Sequence, residues 1–479
     1  MEKTTRVLTT LMLAFFVLLL GSALLLGGCQ PEHLSYCVAF ALAIPLVALF
    51  VYWQKKPRLR PSLWERLGAF RTAALLLALC FAVNLAWVLW FRLDPEGDYA
   101  TYWLSANALA GFAEGNWGYV ALFPHILGYS SFLSLFLRLF GPNPLVAPIL
   151  NVCLSTLSGY FLFRLCLRWR GLNQAAFALL LWSLLPSKIF YNTMVLSEPY
   201  YTCLILGVLF LTAEIEGRRG ALGPVVLGGA LAGLLLRLVQ TARPIAPVPI
   251  LALLIWLVCL RKERGRDVRR RWLGFTALLL AVYLATGPLW NAFAARTLGE
   301  KPASVPAYSF YVGLNSDSLG SYSDRDMMLL QHYRYDYEDG SAESAQRQML
   351  EETKARLASG EVPFGRLLLN KLRNLLGYDE GGAYYSRSML RDRAYQLLAL
   401  GSNICYYALG ILALVGACFV WHRRDQSTIL LAPLYVIGLT LAQLLVEVAA
   451  RYHYSVLPML IVLASCAVQL KNPPPQATP

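Results

Sequence analysis

Long apolar stretches recur along this chain from Val7 to Leu470. A helix needs roughly 20 apolar residues to cross a hydrocarbon core of about 30 Å, and on that criterion the sequence predicts about twelve spans. They lie at 7–27, 36–53, 72–91, 144–166, 174–190, 197–214, 222–240, 244–260, 272–292, 397–421, 428–446 and 451–470. With 57% hydrophobic residues, the chain has too little polar material to cover a water-facing surface. We therefore predict an all-α polytopic membrane protein.

The formal net charge of +14 has a different meaning in such a protein than in a soluble one. The cations cluster in short loops between apolar spans, which is the pattern of membrane topology and not of a nucleic-acid surface. The clusters are Lys55, Lys56, Arg58, Arg60, Arg66 and Arg71; Arg168 and Arg170; Arg218 and Arg219; and Arg261 to Arg271. If these loops are cytoplasmic, both termini are cytoplasmic too. Because the cations follow the topology pattern, we expect no nucleic-acid partner.

Two segments outside the membrane then face the exterior. The first contains Ile126–Phe140, which is apolar but too short to span and carries Arg138, so we expect it to lie in the outer interface. The second is rich in acids, tyrosines and glycines, with predicted helices at Ser341–Leu357 and Phe364–Leu376. The expected regions are 1–71, with two spans and a basic loop; 72–292, a membrane core with an outer loop at 92–143; 293–396, a small α-rich outer domain; and 397–479, the last spans and a short tail.

The first span ends in Leu26-Gly27-Gly28-Cys29, which loosely resembles a lipoprotein cleavage site. A second apolar span follows almost at once. We therefore expect the first helix to remain uncleaved.

Asp98 stands where a span leaves the membrane and immediately before a helical stretch. One interpretation is a helix cap, with the carboxylate accepting from a backbone N–H of the first turn. The other is a general base that deprotonates an acceptor hydroxyl at the membrane surface. The spacing alone leaves both interpretations open.

Three cations occupy the predicted outer ends of spans, where the topology rule does not favour them: Lys188, Arg243 and Arg451. Each one alone is an ordinary snorkelling side chain. Together they favour a site for a lipid phosphate, because phosphate needs charge-assisted donors and arginine offers a two-pronged fork.

Several other polar residues allow two interpretations each. Glu198, in Ser197-Glu198-Pro199, begins a helix and also places a carboxylate at the outer face. Glu447 stands four residues before Arg451, which predicts a pair on one helix face. His125 opens the interfacial segment. The sequence has no phosphate-binding glycine loop and no zinc ligand set, so the energy for a reaction has to arrive with the substrate.

At this point the order of motifs resembles the GT-C membrane glycosyltransferases, specifically the family 39 group of protein O-mannosyltransferases and the lipid A aminoarabinose transferase. The resemblance covers about Trp87 to Leu470. Its motifs are Asp98, Tyr102 and Ala106; Phe123-Pro124-His125 through Phe140-Gly141; Pro186 with Ser197-Glu198-Pro199; Arg243-Pro244; and Arg451-Tyr452 with Pro458. Two departures are Tyr99, where many relatives have glutamate, and His125, where some have lysine.

The resemblance implies a sugar donor on a polyprenyl phosphate, inversion at the anomeric carbon and an extracytoplasmic active site. It implies Asp98 as base, with Tyr102, His125, Lys188, Glu198, Arg243 and Arg451 binding substrate. The acceptor is a glycolipid, a polymer or a protein. No cofactor is firmly implied, no residue is assigned to a metal, and a divalent metal stays open. The alternatives are a flippase or transporter of lipid-linked saccharides, which needs no outer carboxylate, and a membrane scaffold that catalyses nothing.

Overall fold

The computed structural model describes residues 2–55, 62–216, 223–261, 265–337 and 340–468. Nearly all of these residues lie in helices, as the sequence predicts, and nine of the described helices are long and apolar enough to cross a membrane. The basic residues Lys56, Arg58, Arg60, Arg218 and Arg219 and the tail after 468 lie outside the described residues.

Three long helices come first: α1 (Glu2–Gly28), α2 (Leu34–Lys55) and α3 (Leu63–Trp90). The turn between α1 and α2 is closed by Gln30, whose side-chain amide donates to the carbonyl of Gly27 at 3.1 Å. Helix α3 begins with a capping box. The Ser62 hydroxyl accepts from the backbone of Glu65, and the Glu65 carboxylate accepts from the backbone of Ser62.

Three shorter helices follow in the predicted outer loop: α4 (Asp98–Ala110), α5 (Trp117–Leu122) and α6 (His125–Phe140). Gly97 has a φ of 55° and makes the turn into α4. Helices α4 and α6 pack against each other. The Ser130 hydroxyl donates to the Tyr102 carbonyl at 3.1 Å, and Arg138 donates to the Leu109 carbonyl at 2.5 Å.

The central helices are α7 (Val146–Trp169), α8 (Leu172–Leu184), α9 (Pro186–Tyr191), α10 (Glu198–Ile215), α11 (Gly223–Ala242), α12 (Pro247–Ile255) and α13 (Arg266–Leu298). Gly229 and Gly233 of α11 lie directly on the backbone of α13, the close approach that small residues four apart allow in membrane helices. Gly128 of α6 lies equally close to the backbone of Thr241 in α11. This crossing sets the start of α6 beside the end of α11.

The outer domain that the sequence predicts at 293–396, here named the outer segment, contains α14 (Ala307–Gly313), α15 (Asp324–Tyr335), α16 (Ala342–Ala358), α17 (Phe364–Leu376), α18 (Gly381–Tyr385) and a 3₁₀ turn (Arg387–Met389). Helices α16 and α17 occur within a residue of their predicted positions. Gln346 of α16 accepts from the backbone of Tyr308 at 2.8 Å and donates to the carbonyl of Leu122 at 3.2 Å. This one side chain therefore joins the outer segment to the end of α5.

The last helices are α19 (Asp392–His422), α20 (Leu431–Leu445) and α21 (Leu457–Ser465), with 3₁₀ turns at Thr428–Leu430 and Ala450–Val456. The expected count of about twelve full spans differs from the nine found among the described residues. Three predicted spans are shortened or interrupted. The stretch 174–190 breaks before Pro186, 244–260 begins only at Pro247 and ends in a π-helical turn, and 451–470 begins as 3₁₀ helix. Proline lacks the N–H that an uninterrupted helix needs, which accounts for the break before Pro186 and the late start at Pro247.

Candidate active site

Arg451 follows a short irregular stretch between α20 and α21. Helix α20 ends at Leu445, and the chain runs without regular structure until the 3₁₀ turn that begins at Ala450. The freed backbone groups find partners in the outer segment. The amide of Glu447 donates to the Ser309 carbonyl at 2.8 Å, and the amide of Val448 donates to the Gly320 carbonyl at 2.9 Å.

Lys371 of the amphipathic α17 holds the other side of this break. Its ammonium donates to the carbonyl of Leu444 at 2.7 Å and to that of Gly313 at 3.0 Å. A cation at the C-terminal end of a helix satisfies carbonyls that the helix leaves unpaired. The interpretation of Glu447 and Arg451 as a pair on one continuous helix face is therefore wrong, because the helix has already ended.

Arg451 is shared between two carboxylates and a tyrosine. It forms an ion pair and a hydrogen bond with Asp98, its Nε lies 3.6 Å from Glu198 Oε1, and its Nη1 donates to the Tyr99 hydroxyl at 3.4 Å. The Glu198 side chain is only 3% exposed, whereas the Asp98 side chain is 55% exposed. Arg451 thus joins a buried acid to an acid that is open to the surroundings.

Arg243 also packs against Tyr452. Its guanidinium carbon is 4.0 Å from the centre of the Tyr452 ring, and Arg451 lies 5.6 Å from the same ring. Glu447 faces the Tyr452 hydroxyl and interacts with the charges of both arginines. The sequence interpretation of Glu447 made it only a support for Arg451. Its charge in fact lies close to that of Asp98 as well.

Tyr102 and His125 complete this cluster. Tyr102 is buried on α4, with its ring edge-on to Tyr129 at 5.3 Å and its hydroxyl facing Ser197. His125 interacts with the charges of Arg243, Asp98 and Arg451. Of the predicted site residues, the structure therefore brings together Asp98, Tyr102, His125, Glu198, Arg243 and Arg451.

The helix-cap interpretation of Asp98 does not hold. The cap position of α4 is Gly97, Asp98 is the first helical residue, and no side-chain cap hydrogen bond is present. Ser197 does occupy the cap position of α10, but its hydroxyl makes no cap hydrogen bond and lies 3.5 Å from its neighbour Glu198.

The cluster sets the protonation of its members. Burial on its own raises the pKa of Asp98, but the charge and hydrogen bond of Arg451, with Arg243 and His125, bring that pKa below its ordinary value. Burial and then Arg243 lower the pKa of His125 to about 3, which makes the imidazole neutral at pH 7. Burial raises the pKa of Glu447, against the pull of both arginines.

Lys188 lies apart from these residues. It is fully buried, and its ammonium donates to the Asn84 side-chain oxygen at 2.8 Å. Asn192 donates to the same oxygen at 2.6 Å, and the Trp182 ring lies 5.2 Å from the ammonium. The partners that the structure gives Lys188 are thus neutral, and its expected role at a phosphate stays a prediction.

A cavity of about 190 Å³ opens beside Arg451. Its wall contains Tyr191, Tyr378, Glu380, Tyr384 and Tyr385. The Tyr385 ring also meets the ring of Tyr99 edge-on at 5.3 Å. Among the described residues, no three His, Cys, Asp or Glu side chains come close enough together to hold a metal ion.

Comparison with family models and with curated proteins finds no match. Solved structures do match. One is the archaeal oligosaccharyltransferase AglB from Archaeoglobus fulgidus in complex with an inhibitory peptide and a dolichol-phosphate, at 12% identity over 85% of this chain and 50% of that one, with a TM-score of 0.49. Another is ArnT from Cupriavidus metallidurans bound to undecaprenyl phosphate, at 12% identity over 80% of this chain and 77% of that one, with a TM-score of 0.33.

The chain spans about half the length of the oligosaccharyltransferase chains that it matches. Both neighbours are glycosyltransferases of the GT-C class, the class that the motif order resembles.

Proposed function

We propose that this chain is a membrane glycosyltransferase that moves a sugar from a polyprenyl-phosphate carrier to an extracytoplasmic acceptor with inversion. The observation that carries the proposal is the position of Arg451, which binds Asp98 and Glu198 at the edge of a cavity. A carboxylate, two arginines and a cavity are what a sugar attached to a phosphate requires.

The carrier phosphate binds to Arg451 and Arg243. A phosphate ester presents several strong acceptors, and arginine matches two of them at once. Arg451 already donates a hydrogen bond to Asp98. A phosphate that binds to Arg451 therefore competes with the Asp98 carboxylate. Glu198 is buried, and its carboxylate stays paired with the guanidinium of Arg451.

Asp98 acts as the general base. While Arg451 is bound to it, the carboxylate is ionised but weakly basic, since a neighbouring cation favours the charged form. When the phosphate draws Arg451 away, Asp98 loses its counter-charge and its basicity rises. The exposed carboxylate then accepts the proton of the acceptor hydroxyl as that oxygen attacks the anomeric carbon, and the carrier leaves as polyprenyl phosphate. A single displacement of this kind inverts the anomeric centre.

The other cluster residues bind and orient. His125 is neutral and offers one donor and one acceptor nitrogen beside Arg243, and Tyr102 holds the base of α4 against α6 and α10. No step in this mechanism is assigned to a metal. From the charge clusters in the loops we propose that both termini are cytoplasmic and the site is extracytoplasmic, with residues 293–396 shaping the acceptor side.

The experiment compares the parent with Asp98→Asn in transfer from radiolabelled polyprenyl-phosphate sugars to membrane acceptors. Asparagine keeps the shape but cannot take the proton, so we expect transfer to fall by about 10²-fold or more at unchanged membrane abundance. The matched control is Asp94→Asn, an exposed acid earlier in the same loop. If Asp98→Asn and the parent transfer sugar equally well, Asp98 is not the general base, and a flippase of lipid-linked saccharides becomes the favoured function.

A further inference from the structure

The N-terminal pair of helices, α1 and α2, precedes the part of the chain that carries the motifs, and the sequence assigns it no purpose. In the structure the pair packs along α19 and against the segment that joins α17 to α18. Gly27 lies so close to the backbone of Gly377 that no side chain fits there. Phe40 of α2 meets the ring of Tyr407 in α19 edge-on at 5.2 Å.

Tyr36, near the start of α2, reaches further into this segment. Its ring stacks on Tyr378 at 5.1 Å with an angle of 18° between the rings. Its hydroxyl faces the carboxylate of Glu380, and the residue is only 7% exposed. Tyr378 and Glu380 both belong to the wall of the cavity beside Arg451. The N-terminal pair therefore supports two residues that line the cavity.

The chemistry of this cavity fits a sugar ring. Tyrosine rings cover the apolar faces of such a ring, while their hydroxyls and a carboxylate accept and donate hydrogen bonds to its polar groups. Glu380 accepts hydrogen bonds from hydroxyl groups and also pairs with an amino group. Arg451 lies at the edge of the same cavity, so a phosphate bound there places its attached sugar next to these residues.

We propose that the N-terminal pair is part of sugar recognition, with Glu380 contacting the sugar of the donor and Tyr36 acting as the positioning residue that orients the Glu380 carboxylate. This inference rests on the proposed function, because it takes the phosphate on Arg451 as the anchor of the donor. It adds a role for helices that the motif resemblance does not cover.

The test measures affinity of the purified full-length protein for two kinds of ligand. One is bare undecaprenyl phosphate, and the other is undecaprenyl phosphate carrying mannose, glucose, galactose or an amino sugar. We expect the parent to bind one sugar-bearing donor more tightly than the bare carrier. Glu380→Gln reduces that preference by roughly 10-fold, since it weakens a hydrogen bond to a charged group, and Tyr36→Phe reduces it by about threefold.

The affinity for bare undecaprenyl phosphate stays unchanged in both variants, which a general loss of structure would not allow. Tyr283→Phe is the matched control, because its ring packs under Arg237 and it lies on α13, away from the cavity wall. The thermal midpoint of each variant is measured in parallel.

Three outcomes separate the two proposals. If Arg451→Gln leaves binding of bare undecaprenyl phosphate unchanged, the proposed function fails. If Arg451→Gln weakens that binding while Glu380→Gln and Tyr36→Phe keep the full preference for the sugar-bearing donor, only the sugar inference fails. The inference is also overturned if Tyr36→Phe lowers the thermal midpoint but keeps the preference for the sugar-bearing donor. The contact between Tyr36 and Glu380 would then contribute to stability alone.

Discussion

The two ends of α10 hold carboxylates in different ways. At its start, Glu198 shares Arg451 with Asp98 and Tyr99 beside an open cavity. Just past its other end, Glu216 accepts from both the backbone and the hydroxyl of Thr428. Both ends are rich in charge, but among the described residues an arginine that forms ion pairs with two carboxylates is found only at the start.

At the far end of α10 each arginine forms an ion pair with one carboxylate, and Glu214 is shared by Arg164 and Arg168. Arg170 lies 2.9 Å from Asp425, with side chains 9% and 17% exposed, and Arg168 lies 3.7 Å from Glu214. Such pairs hold neighbouring helices together, and Arg168, Glu216 and Asp425 also border a cavity of about 430 Å³. An arginine that is paired with two carboxylates can replace one of these contacts by a contact to a phosphate and keep the other. From this difference we expect a phosphate to bind to the shared arginine and not to the arginines that have one carboxylate partner each.

The largest expected effect comes from exchanging the shared arginine. Arg451→Gln removes the phosphate contact and leaves Glu198 buried without its cation, and losing one partner of such a pair costs about 2–5 kcal/mol. We expect donor affinity measured with undecaprenyl phosphate to fall by about 10²-fold. Arg170→Gln is the matched change at the other end and should lower thermal stability with donor affinity intact. If both variants lose affinity equally, the comparison between the two ends fails.

A smaller effect is expected at Lys188, the third cation that the sequence selects. Lys188→Met leaves the Asn84 oxygen with one donor fewer in a buried place, which costs about 1–3 kcal/mol of stability. Since its partners in the structure are neutral, donor affinity should change by less than about threefold. Thermal unfolding and donor titration of the same sample measure both quantities. An affinity loss equal to that of Arg451→Gln would place Lys188 at the phosphate after all.

The smallest expected effect is a pH dependence that comes from His125. Its pKa is about 3 in the folded protein and about 6.5 in the unfolded chain. Between these values the unfolded chain binds the extra proton, so stability falls as the pH is lowered. The loss amounts to about 1 kcal/mol from pH 7 to pH 5.5. His125→Gln should flatten this slope, and thermal midpoints over that pH range test it; an unchanged slope would show that other groups cause it.

Part of this site could be predicted from the sequence. Asp98, Glu198, Arg243 and Arg451 stand out because charged residues at the ends of apolar spans need a reason to be there. The positions of α16 and α17 follow from their periodicity. The expected count of about twelve spans differs from the nine long apolar helices among the described residues, because hydropathy does not register the broken and shortened helices near Pro186 and Pro247.

Other residues could not be found in this way. Lys371 sits on an amphipathic helix, where a lysine normally faces water, yet it is buried against the end of α20. The four-residue spacing predicts that Glu447 and Arg451 share a helix face, but α20 ends at Leu445. Tyr36 meets Tyr378 and Glu380 across more than three hundred residues of chain. Contacts of this kind depend on how distant segments pack, which one sequence does not reveal.

The break before Arg451 has a consequence for the order of assembly. Its backbone amides are paired with Ser309 and Gly320 and its helix end with Lys371, all from the outer segment. If the membrane helices insert before the outer segment folds, the backbone amides of Glu447 and Val448 and the end of α20 lack these partners. We therefore expect the residues around Arg451 to reach their final positions only after the outer segment has folded.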